Sequence, residues 1–358
     1  MVVISISLLA CEKDDPNGNN NSNNKSSWRI PQEEVFDGGP GKDGIPALTL
    51  PDFIEPGEAE YLGENDLVLG YVADGEARAY PHSILDWHEI INDKVGSKNI
   101  SVTYCPLTGT GIGWNREIDG KVTTFGVSGL LYNSNLIPYD RETGSNWSQI
   151  RLNCVNGTLS GSEVETYTLV ETTWKTWKEM YPDTRVVSSK TGHNRNYGVY
   201  PYGSYRTNHE YIIFPVANED DRFEAKDRVH GIVALNNATI YPLSSFGDEV
   251  TVFLDQYVDE EYVIVGSEAD DFAVSFIRDP GNGTLPVYTA VQDQYPVVMT
   301  DEDGNMWDVM GTAVSGPLQG TQLKHARSFI GYWFSFAAFY PHLKIHGARK
   351  ASSDLDPD

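Results

Sequence analysis

Long stretches of this chain occur twice, and that repetition constrains the fold more than any single motif. Leu69-Gly70-Tyr71-Val72 with Ala79-Tyr80-Pro81 returns as His230-Gly231-Ile232-Val233 with Ile240-Tyr241-Pro242, at an offset of 161. Gly144-Ser145-Asn146-Trp147 returns as Gly304-Asn305-Met306-Trp307, and Leu159-Ser160-Gly161 as Leu318-Gln319-Gly320. Trp174, Trp177 and Tyr181-Pro182 then fall on Trp333, Phe336 and Tyr340-Pro341, at an offset of 159. So small a drift is the mark of a duplicated unit, and it predicts two tandem similar repeats in a pseudo-two-fold arrangement. The many short strand patterns and few helical ones give the expected class: α+β, predominantly antiparallel β. Trp147, Trp174, Trp177, Trp307 and Trp333, recurring in register, are expected in the core.

The repeats set the domain boundaries: repeat one over 61–189, an aromatic inter-repeat loop over 190–221, repeat two over 222–347. An extended Gly- and Pro-rich arm (28–60) precedes them, and a disordered tail (348–358) follows. Residues 1–10 form a short apolar run, and Leu8-Leu9-Ala10-Cys11 resembles a bacterial lipoprotein cleavage box. The resemblance implies lipidation of Cys11. Glu12-Lys13-Asp14-Asp15 is similar to the acidic export signals of Bacteroidetes surface lipoproteins. An Asn-rich stretch with nothing to bury makes 11–27 a disordered tether. The expected location is extracytoplasmic, lipid-anchored in the outer membrane and facing the cell surface, with the lipid as sole membrane contact. With 51 Asp+Glu against 26 Lys+Arg, the surface repels nucleic acid, and no nucleic-acid partner is expected.

Local patterns place the chemistry. Asp74-Gly75 and Asp119-Gly120 mark hairpins, and Asn236-Asn237 a third. A helix is predicted over 84–91, with Ile84, Trp87, His88 and Ile91 on one face, and others over 172–180 and 328–339. Residues 128–139 read as a structured loop. Tyr104-Cys105-Pro106-Leu107-Thr108-Gly109-Thr110 puts a thiol where a strand stops and a Gly-rich turn starts. A thiolate there is a candidate nucleophile or soft metal ligand, with His88 as base or second ligand. A metal held by Cys105 and His88 would be copper or zinc. Asn92, Thr108, Gly109, Ser128, Asn133, Asn135, Tyr197 and Tyr202 are the candidate ligand-binding residues around this cleft. A disulfide between Cys105 and Cys154 is the rival reading, which would make Cys105 structural. The run Gly109-x-Gly111-x-Gly113 lacks the following helix that a phosphate loop requires.

Three readings follow: a metal-binding Cys/His cleft, a Cys-His enzyme, or a non-catalytic ligand-binding or scaffolding module. Tyr104–Thr110, Phe125-Gly126-Val127-Ser128-Gly129-Leu130-Leu131-Tyr132-Asn133-Ser134, Tyr139-Asp140-Arg141 and Trp147-Ser148-Gln149 resemble the prokaryotic domain-of-unknown-function family 3179. His88 with Asn92-Asp93, and Tyr197 with Pro201-Tyr202-Gly203, are similar to further stretches of that family, over roughly 61–347. Many members carry a second cysteine three residues after the first. Thr108 stands there in this chain, so a paired-thiol redox site is excluded. The resemblance implies where the site lies and leaves its reaction open.

Overall fold

The computed structural model describes residues 28–234 and 236–347. The signal, the tether with Cys11 and the tail lie outside them. The described residues are mostly antiparallel β with three short helices, α1 (His82–His88), α2 (Trp174–Met180) and α3 (Trp333–Phe339). No helix among them is long and apolar enough to cross a membrane.

The hairpin of Leu67–Ala73 and Glu76–Pro81 turns at Asp74-Gly75, both at positive φ. Val170–Thr173 pairs antiparallel on one side of it and Arg185–Val187 parallel on the other. In the second half the Arg228–Ala234/Asn237–Pro242 hairpin takes Ser328–Tyr332 antiparallel and Lys344–Ile345 parallel. Next in each half comes a three-stranded meander: Ile90–Val95, Lys98–Cys105 and Thr110–Asn115 in the first, Thr251–Tyr257, Glu260–Ser267 and Phe272–Ile277 in the second. A four-stranded meander follows in each, from Phe125–Tyr132 to Asn153–Asn156 and from Tyr288–Ala290 to Ala313–Ser315. Before the first hairpin, residues 28–60 add short edge strands: Val35–Asp37 beside Phe125–Tyr132, and Leu48–Thr49 parallel to Ile91-Asn92.

The helices pack each hairpin sheet by removing a side chain from the strand beneath. A Cβ on Gly70 would lie 2.2 Å from the Trp177 ring, and one on Gly231 would lie 2.2 Å from Phe336. The indoles of Trp147 and Trp307 each donate, at 3.0 Å, to the carboxylate of Asp140 and Asp301 respectively. The tryptophans expected in the core are all buried.

The two main hydrophobic clusters draw on both halves. One joins Leu69, Tyr80, Ile100 and Trp177 to Val263, Phe276, Met299 and Trp307. The other joins Trp114, Phe125 and Trp147 to Ile240, Phe329, Trp333 and Phe336. Each cluster thus combines residues of one half's hairpin sheet with residues of the other half's four-stranded meander.

Three local readings are corrected. The first helix stops at His88, because Glu89 takes φ 56° and ψ −31°, and Ile91 and Asn92 lie on a strand. Residues 328–332 are a strand, with helix only from Trp333. The 128–139 stretch is a hairpin turning at Asn133-Ser134, both at positive φ. A register shift between Val127 and Leu130, with both faces buried, erases the alternation that would betray a strand.

Candidate functional site

Cys105 does end its strand, yet it is 1% exposed. Burial, with Glu89 adding its charge, pushes the thiol up to about 11, so the thiolate is scarce at neutral pH. Its sulfur faces the Ser134 carbonyl at 3.7 Å. His88 is fully engaged elsewhere: Nδ1 lies 2.7 Å from the Pro46 carbonyl and Nε2 2.7 Å from the Tyr197 hydroxyl. Burial pushes its ring down to about 4, leaving it neutral. No hydrogen bond joins the imidazole to the thiol among the described residues, and a Cys-His couple is not assembled. No group of three or more His, Cys, Asp or Glu side chains among the described residues is placed to hold a metal ion, and no third ligand of that kind joins Cys105 and His88 in the expected copper or zinc site. Cys105 and Cys154 are both free, so the disulfide is absent too.

The residues expected to bind a ligand make the following contacts within the fold. Thr108 and Asn135 belong to a closed polar network in which Asn135 donates to Thr108 at 2.9 Å and to Gln149 at 2.7 Å. Gln149 donates in turn to Thr103 at 3.0 Å. Asn92 ties the arm to the sheet through Leu48 O and both backbone groups of Phe125. Ser128 caps the register shift at Leu130 N, and Asn133 holds Ala338 O and Ala217 N. Gly109 sits against Tyr332, whose ring would be 2.8 Å from an added Cβ. Tyr197 carries His88, and Tyr202 packs its ring 5.6 Å from that of Tyr200. What covers the cysteine turn is the inter-repeat segment: Tyr200 and Tyr205 donate to Pro106 O and Leu107 O, at 3.2 and 2.9 Å.

Beneath that segment runs a seam of ionisable side chains that the sequence reading missed. His82 and Asp86 share one face of α1, one turn apart. Asp86 Oδ2 accepts from Arg206 of the inter-repeat segment at 2.8 Å, and Glu171 Oε1 from Arg228 of the second half at 2.6 Å. Arg228 also binds Asp271. His82 Nε2 lies 3.9 Å from Glu171 Oε2. Those two atoms and Asp86 Oδ1 are buried with no hydrogen-bond partner. Burial pushes Asp86 and Glu171 up to about 7 against the pull of their arginines, and Glu89, beside Cys105, up to about 8. Burial first, then Arg228 and Arg206, holds His82 well below its ordinary value. The seam joins both halves and the covering segment at one place. The i, i+4 pair on α1 is its one local trace in the sequence. Every other member comes from a distant segment.

Open space lies elsewhere. A groove of about 800 Å³ runs between the first hairpin, the Thr166–Tyr167 strand and the second half's residues 308–327. Tyr71 and Tyr167 form one wall, with ring centroids 5.6 Å apart at 39°. Met310, Leu323 and the buried Asp308 also line the groove, and burial pushes the Asp308 carboxyl up to about 6.

The residues lining seam, cysteine turn and groove all fall inside one family match: a model described as Protein of unknown function (DUF3179) covers residues 42–343. The chain belongs to the DUF3179 family. The DUF3179 match takes in the later part of the arm, consistent with Leu48-Thr49 being a strand of the first meander's sheet. No curated protein and no solved structure matches the chain.

Proposed function

We propose that this protein is a non-catalytic ligand-binding lipoprotein, anchored through Cys11 on the outer face of the cell, that takes its ligand in the groove between its halves. The observation that carries this reading is the groove itself: about 800 Å³ of open space lined by a tyrosine pair together with apolar and charged side chains. Sites for small molecules favour such a junction between structural units. The burial of Cys105 and its raised thiol pKa support this reading over one that uses the thiolate as a nucleophile. We further read the two halves as products of duplication, supported by their matching sheet orders and by the equivalent pairs Gly70/Trp177 and Gly231/Phe336.

Native mass spectrometry of the full chain, isolated from its producing cells without dialysis, tests the groove. A retained small molecule that is lost in Tyr167→Ala, and recovered chemically unchanged, is the expected result. A ligand held equally well by that variant, or converted by the protein, would count against the reading. The anchor is tested separately: Cys11→Ser should move the protein from the membrane fraction to the soluble one.

A further inference from the structure

We propose that the groove selects a neutral, polyhydroxylated ring, a carbohydrate, laid against Tyr167; this rests on the groove being the ligand site. Tyr167 is half-buried and lines the groove, and the buried Tyr71 ring lies tilted beside it, 5.6 Å away between centroids. The backbone beneath is fixed by pairing of Tyr167 with Gly113. A rigid aromatic face loses little conformational freedom when an apolar ring face docks on it. Neither phenol hydroxyl makes a hydrogen bond among the described residues, so each can both donate to and accept from a ligand hydroxyl. Burial keeps both phenols protonated well past neutral pH.

The charge around the groove argues against an ionic ligand. Across the chain acids outnumber bases about two to one, yet here Lys98, Lys324 and Arg327 stand against four carboxylates. Arg327 is already met by Glu163 at 2.9 Å. A strongly charged ligand therefore gains no net field, whereas a ring of hydroxyls finds cationic donors and carboxylate acceptors side by side. Depleting net charge while keeping many polar groups is how a protein favours neutral polar molecules over ions.

Isothermal titration of the full chain with neutral hexasaccharides of glucose, mannose, xylose and N-acetylglucosamine, with a polygalacturonate oligomer and with a mixed hexapeptide pool tests the class. At least one neutral sugar should bind, Tyr167→Ala should weaken it roughly tenfold, and Tyr167→Phe should keep most of the affinity. Far-ultraviolet dichroism of each variant checks that it is folded. Binding of the acidic oligomer alone, lost in Tyr167→Ala, would overturn the neutrality of the ligand; binding of the peptides alone, lost in the same variant, would overturn the carbohydrate class; either result would leave the groove standing. Sugar binding indifferent to both Tyr167→Ala and Lys324→Met would remove the groove as the site. No binding of any sugar would overturn the proposal.

Discussion

Glu89 shows what burial does to a single residue here. It closes α1 in a left-handed conformation, and its carboxyl accepts no hydrogen bond among the described residues. A carboxyl raised from 4.5 to about 8 gives stability that is complete at low pH and is lost as pH rises toward 8. Asp86 and Glu171 act in the same direction up to about 7. His88, lowered from 6.5 to about 4, works the other way: its contribution is complete above 6.5 and lost as pH falls toward 4. The thermal midpoint should therefore peak in mildly acidic solution. Glu89→Gln should flatten the descent above that peak, by about 1.4 kcal/mol for each pH unit removed, as read by calorimetry from pH 5 to 9. An unchanged profile would show the carboxyl to be solvated. Cys105 teaches a related lesson. Its place at a strand end was legible in the sequence, but its exposure was not, because the tyrosines that cover it arrive about a hundred residues later in the chain. Maleimide should label Cys105 and Cys154 far more slowly in the native protein than in urea, and prompt native labelling at pH 7 would contradict their burial.

Turn chemistry made some elements legible. Asp74-Gly75 and Asp119-Gly120 announced their hairpins, and both form. Asn133-Ser134 did not, because the strands beside it are buried on both faces and shifted in register. The helix predicted over 328–339 was too long because Ser328–Tyr332 is apolar enough to continue a helical face, while its pairing with Arg228–Ala234 decides for strand. Close approach between strand and helix is the firmest element-level feature. Gly70→Ala and Gly231→Ala each drive a methyl into a buried ring, so each should cost about 1–3 kcal/mol or more in urea unfolding; a loss below 0.5 kcal/mol would mean that the helices shift freely. The inter-repeat segment is pinned largely by Arg206 on Asp86 and by tyrosine hydroxyls on the cysteine turn. Arg206→Ala should speed tryptic cleavage at Lys190 and Arg195, mapped by mass spectrometry. Equal rates would show that the tyrosines suffice.

At the scale of the molecule, the recurring motifs in the sequence suggested which segments correspond but said nothing of which face which. Periodicity reports a buried face and never its partner. Both main cores combine strands from the two halves, and Tyr332 N on Thr108 O and Tyr340 on Ile150 O tie the halves further. The protein should therefore unfold in one calorimetric transition, and a fragment of residues 28–189 should show no cooperative melt; two separated transitions would refute the interlocking. The same arrangement bears on how the chain is made. A ribosome releases Leu69 and Trp177 long before Phe276 and Trp307 exist to cover them. The nascent half must wait with a greasy face uncovered, a natural client for a holding chaperone until the last strands emerge.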